Sequence, residues 1–149
     1  MEDTSYIEPF LKDWSELSEL AFDRDGAAFQ AMESLYDAFL DTGAGEFYVG
    51  HPDIHPGTDC LVGFRGHLEM NIDILEYQDR INAALKLVTT TFVELYDYYF
   101  DKLAARGQAA TTWAGMVARR KWHIACSDFS CMISTPMFEE LFLPSIVDR

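Results

Sequence analysis

The stretch "HIACSDFSCMISTPMFEELFLP" runs from His123 to Pro144, five residues before the last one, Arg149. It opens with "HIACS", a short apolar run that predicts a strand. Ser127 and Asp128 break that run. Thr135 is then placed to cap a helix, with Pro136 at its first position and Glu139 and Glu140 in its first turn. A strand, a carboxylate at its mouth and a following helix are the parts of a parallel α/β unit. The reading predicts that the chain stops while that unit is still being built.

Working outward, a second such unit lies upstream. "EFYVG", Glu46 to Gly50, is β-prone and closed by glycine, so it predicts a buried strand. "HPDIHPGTDCLVGFRG" follows, too broken at its start for a regular element, with a short helix beginning near Thr58 or Asp59. Between the two units, Ile81, Leu85, Val88, Phe92, Leu95, Tyr99 and Leu103 recur by fours and threes. They predict the clearest helix of the chain, ended by Gly107. A further helix is predicted where Phe29, Met32, Leu35, Tyr36, Phe39 and Leu40 recur, with Asp25 as its cap and Gly43 as its end. A short one is expected over Pro9 to Leu20. "QAATTWAGMVARRKW" reads as an irregular connection.

The chain has 149 residues, 49% apolar and 14% aromatic, a globular composition. Twenty-five acidic residues against 11 basic ones give a net charge of -14. Such a surface repels phosphate backbones and anionic lipids, which argues against nucleic acid and membrane as partners. No apolar run is long enough to cross a membrane, and "MEDTSYIEPF" lacks a signal pattern. Cys60, Cys126 and Cys131 form no disulfide framework or CxxC pair, and Cys126 and Cys131 read as small buried hydrophobes. A reducing cytoplasm is the expected compartment.

In parallel α/β proteins ligands bind where loops leave the strand ends. Here those loops carry His51, Asp53, His55 and Asp59 after the first strand, and Ser127 and Asp128 after the second. These are the candidate substrate-binding residues, together with Trp113, for which a place in the core is the commoner role. Asp128 is the candidate catalytic group. Flanked by Cys126 and Phe129, it is expected to be partly desolvated and so able to donate a proton. Its other reading is a turn Asp bonded to backbone N–H groups. The alternation in "HPDIH" puts His51, Asp53 and His55 on one side of an extended backbone, a geometry open to zinc or iron. Alone it is too weak to predict a metal, and no cofactor is expected. Arg65 is read as pairing with a surface acid or an anionic substrate, and Arg119 and Arg120 as a solvated face.

"SDFSCMISTPMFEELFLP" resembles the strand-to-helix segment of the uroporphyrinogen decarboxylase family. "FYVGHPDIHPGTDCLVGFRG" looks like that family's earlier strand, loop and helix start, and Thr111 to Trp113 match one bacterial branch. The resemblance spans roughly Phe10 to Val147. It implies a TIM barrel of the haem-pathway decarboxylase or the corrinoid-dependent methyltransferases, of which this chain would be an incomplete part with two or three parallel strands. It implies a small-molecule partner, a tetrapyrrole carboxylate or a corrinoid protein. It further implies that the Arg-rich substrate motif lies before Met1 and the methyltransferase zinc ligands beyond Arg149. No Tyr stands at Cys60 to Leu61, where the decarboxylase has a substrate-contacting one, and Asp128 stands near a pocket Ser. An altered pocket and no turnover by this chain alone follow as expectations. A truncated remnant or a non-catalytic binding module is the alternative. Unclosed sheet edges would favour self-association.

Overall fold

The computed structural model describes residues 8–147. It overturns the partial barrel. The described residues are mostly helical, and their one sheet is a pair of two-residue antiparallel strands. A 3₁₀ turn (Trp14–Glu19) precedes α1 (Ala27–Thr42), α2 (Thr58–Arg65), α3 (His67–Glu76) and the long α4 (Gln78–Ala105). β1 (Ala110–Thr111) and β2 (Val117–Ala118) form a hairpin. A 3₁₀ turn (Asp128–Met132) leads into α5 (Thr135–Met137), a π turn (Phe138–Phe142) and α6 (Leu143–Val147). No parallel strands occur among the described residues.

The chain forms two compact units. The first comprises residues 8–20, 55–92 and 125–147, and the second Ala21–Ile54 and Val93–Ile124. α4 supplies its first half to one and its second half to the other.

In the first unit the apolar stripe of α4 (Ile81, Ala84, Leu85, Val88) joins Leu61 and Val62 of α2, Met70 and Ile74 of α3, and Leu141 and Phe142. Leu11 and Trp14 complete this core from the N-terminal segment. That segment is tied to the end of α2. The backbone N–H groups of Phe10 and Leu11 both donate to the Phe64 carbonyl, at 3.0 and 2.9 Å. Arg65 makes the stronger tie. Its Nε and Nη2 donate to the two carboxylate oxygens of Asp73 on α3, at 2.7 and 3.1 Å. Its Nη1 donates to the carbonyls of Leu11 and Lys12, at 3.0 and 2.6 Å. The guanidinium carbon lies 5.3 Å from the Trp14 ring centre. The expected surface pair is thus a buried one, with side chains 10% and 2% exposed. Gly66 allows it. Its φ of +94° turns the chain sharply from α2 into α3, and a Cβ there would stand 2.9 Å from Glu69 Oε2 and 3.3 Å from Pro9 Cγ.

In the second unit Phe29, Tyr36 and Leu40 of α1 pack with Val49 and with Tyr99 and Leu103 of α4. Lys102 bridges Glu33 and Asp37 across these helices, at 2.8 and 2.9 Å. Tyr98 donates its hydroxyl to Glu33 as well. Asp25 does not cap α1; Gly26 holds the cap position without a side-chain bond.

Neither predicted strand forms. Glu46 to Gly50 has no ladder to join. Val49 N–H donates to Gln108 Oε1 (2.7 Å), and Tyr36 donates its hydroxyl to the Gly50 carbonyl (3.2 Å). Next to them a single backbone bond, His51 N–H to Thr111 O at 2.6 Å, ties the segment to the hairpin. His123 to Ser127 has no regular structure, because here the chain passes from the second unit to the first. Side chains and one backbone carbonyl answer polar groups that a sheet would have paired. The self-association expected from open sheet edges loses that ground. α3 does expose Leu68, Ile72 and Leu75, spaced to share a face. Cys131 is exposed and Cys126 half-buried, not the buried hydrophobes expected.

Breaking a buried ion pair strands the remaining charge, which costs about 3 kcal/mol or more. Asp73→Asn should therefore lower stability by about that much in urea denaturation followed by circular dichroism. Arg106→Ala, which breaks the exposed Arg106–Asp41 pair, should leave the transition nearly unmoved. Equal effects would show that the Arg65 clamp does not hold the first unit together.

Candidate functional site

The two sequence blocks that carry the candidate residues meet in the first unit, at the start of α2. Gly57 precedes the helix with φ +82°, and Thr58 and Asp59 form its first turn. Asp59 does not serve its own helix. Its carboxylate accepts the backbone N–H groups of Asp128 (3.1 Å) and Phe129 (3.2 Å), which open the 3₁₀ turn Asp128–Met132. Ser127 holds that turn's cap position but makes no side-chain cap bond. Asp59 therefore caps, from 69 residues away in sequence, a turn whose own preceding residue leaves it open. Beside it the hydroxyls of Thr58 and Ser127 share a hydrogen bond of 2.8 Å. Phe129 anchors the turn in the core. The next cap is also displaced by one residue: Ser134, not Thr135, accepts the Met137 N–H.

Asp128 itself is held by its backbone, and its residue is exposed. The desolvation expected from Cys126 and Phe129 does not occur, since Phe129 turns inward and Cys126 is only half-buried. Next to Asp59, burial pushes the Cys60 thiol up to about 11, helped by the Asp59 charge. That thiol stays protonated at neutral pH and is no nucleophile.

The structure does not gather the other candidates there. His55 is half-buried in the first unit, whereas His51, Asp53 and Trp113 belong to the second. His51 is buried, its ring stacked on Tyr96 at 4.3 Å and edge-on to Tyr99 at 5.8 Å. Nε2 lies 3.1 Å from the Tyr96 carbonyl and Nδ1 3.3 Å from that of Pro52. The neutral ring can donate to only one of these two carbonyls. Among the described residues no group of three His, Cys, Asp or Glu side chains could hold a metal ion. Asp53 is exposed. Trp113 lies in the hairpin loop, 67% exposed, and not in the core.

Thr58 and Tyr96 escaped the sequence reading. The Tyr96 hydroxyl donates to the Trp122 carbonyl at 2.5 Å and accepts the Trp122 N–H at 2.9 Å. An acid beside a hydroxyl at a helix start was the one signal for Thr58. Nothing local marks its partner Ser127.

Burial holds the His51 pKa below its ordinary value near 6.5, against the pull of the Tyr96 and Pro52 carbonyls. As pH falls through 6.5 the unfolded chain takes up a proton before folded His51 does, so folding loses stability there. His51→Gln should flatten this loss between pH 7.5 and about 5.5, measured as the shift of the urea midpoint. An unchanged pH dependence in the variant would place the acid sensitivity elsewhere. No family model, no curated protein and no solved structure matches the chain, so the chemistry of this junction is read from the chain itself.

Proposed function

We propose that the chain is a uroporphyrinogen decarboxylase-like domain protein, and that the junction of Thr58, Asp59, Ser127 and Asp128 binds a tetrapyrrole carboxylate of the porphyrin pathway. One observation carries this reading. Parts of the two blocks on which the resemblance rests, "HPGTDCLVGFRG" of the first and "SDFSCMISTPMF" of the second, join through the Asp59 carboxylate and the Thr58–Ser127 bond. A tetrapyrrole offers pyrrole N–H donors, and the exposed Asp128 carboxylate is an acceptor carried on a backbone that the Asp59 carboxylate holds. Its carboxylate arms meet a chain of net charge -14, so binding rests on the macrocycle and is opposed by charge at long range.

Turnover asks for more than binding. General acid–base catalysis needs a positioned proton carrier, and the Asp128 side chain has no bonded partner among the described residues. The chain alone is a binding domain in this reading. Among the described residues no helix is long and apolar enough to cross a membrane. The free cysteines support a reducing compartment, the cytoplasm.

Fluorescence titration with uroporphyrin tests the reading. Saturable binding is expected, with Asp128→Asn weakening it about tenfold, or about 1.4 kcal/mol, and His55→Ala leaving it unchanged. Screening should strengthen it, so affinity should rise between roughly 0.05 and 0.5 M salt. No saturable binding, or equal losses in the two variants, would reject the assignment.

A further inference from the structure

In the second unit a cavity of about 200 Å³ lies beside the last turns of α4. Phe100, Leu103, Ala104 and Ala110 give it an apolar wall, and Arg119, just after β2, adds a cation. Four other cations of this unit are occupied. Lys102 holds Glu33 and Asp37, Arg106 holds Asp41, and Lys121 holds Asp97. Arg24 lies over the Phe22 and Tyr98 rings. In a chain with 25 acids and 11 bases, Arg119 has no ion-pair partner among the described residues. Arg120 has none either, but it does not line the cavity.

We propose that this cavity binds a small organic monocarboxylate, with its apolar body against Phe100 and Leu103 and its carboxylate on the Arg119 guanidinium. A planar guanidinium presents two parallel N–H donors to a carboxylate, which a lysine could not do. The apolar wall lowers the local dielectric, so the pair is stronger than one in open water. The volume is below the roughly 300 Å³ at which drug-sized sites begin, which limits the ligand to a compact one. The end of a helix repels anions through its free carbonyls, but here two of them are bonded. Leu103 O accepts from Arg106 N–H and Gln108 N–H, and Ala104 O from Gly107 N–H. The Gln108 side chain is committed to Val49 and Phe47. Arg119 alone is left to recognise charge. A phosphate dianion would find one uncommitted cation and an apolar wall, a poor match, since Lys121 over the Phe100 ring is held by Asp97. The proposal is independent of the tetrapyrrole reading, whose residues belong to the first unit.

Benzoate, neutral benzamide of nearly the same shape, and inorganic phosphate are the probes, titrated into the ¹⁵N-labelled full chain. Benzoate should move the Gly107 and Gln108 amide resonances saturably. Benzamide should bind at least tenfold more weakly, and phosphate should give no saturable shift. In Arg119→Gln, an exposed position whose spectrum should otherwise match that of the parent, benzoate affinity should fall at least tenfold. Four results would each overturn the proposal: no saturable shift with benzoate, equal binding of benzamide, phosphate binding as tightly as benzoate, or unchanged benzoate affinity in Arg119→Gln.

Discussion

Both cores depend on one stripe of α4. The helix spans 28 residues, and its buried side chains recur at helical spacing along its length. Ile81, Ala84, Leu85 and Val88 belong to the first core, Tyr99 and Leu103 to the second. A helix this long draws its stability from such packing more than from propensity. Its composition changes along the stripe in a way that matters. The first half is aliphatic, and packs by shape alone. The second half is rich in tyrosine, and its hydroxyls do the polar work of a unit that has almost no sheet. Tyr96 holds the backbone of Trp122 through both its donor and its acceptor, and Tyr98 donates to Glu33.

That division explains which parts of the fold were legible. Helical period is a local signal, and α4 and α1 stand where their apolar residues recur. A strand is different, because its backbone needs a partner that sequence pattern does not name. "EFYVG" has β-prone residues, but its bonds go to Gln108 and Tyr36. "HIACS" has the same character and no ladder at all. Leu95, counted in the stripe, is only partly buried, and Tyr96 is buried beside it. A one-position error on a helix face is enough to hide the residue that organises the hairpin side of the unit.

The junction was legible as a place and not as a mechanism. The sequence places Asp59, Ser127 and Asp128 in loops where a ligand would bind. The structure brings them together, but Asp59 spends its carboxylate on backbone N–H groups and Ser127 its hydroxyl on Thr58. Such long-range capping satisfies donors that a 3₁₀ turn cannot satisfy itself. No local rule finds it, because the acceptor lies in another block of sequence. Arg65 follows the same logic. Its neighbours in sequence suggested a surface group, while its four bonds reach Leu11, Lys12 and Asp73.

Charge gives these observations a common order. With 14 more acids than bases, each cation placed inside the fold neutralises one of several competing carboxylates, and its position decides which acids can be buried. Asp73 can be buried because Arg65 reaches it. Glu33 can be half-enclosed because Lys102 and Tyr98 outweigh the burial that would otherwise raise its carboxyl, and hold it below the usual range. Where no cation arrives, an acid such as Asp128 stays at the surface. Exposed acids are of both kinds, since Asp37, Asp41 and Asp97 hold bases at the surface, and their number alone says little about ligands. A cation without a carboxylate is informative where, like Arg119, it also lines a cavity.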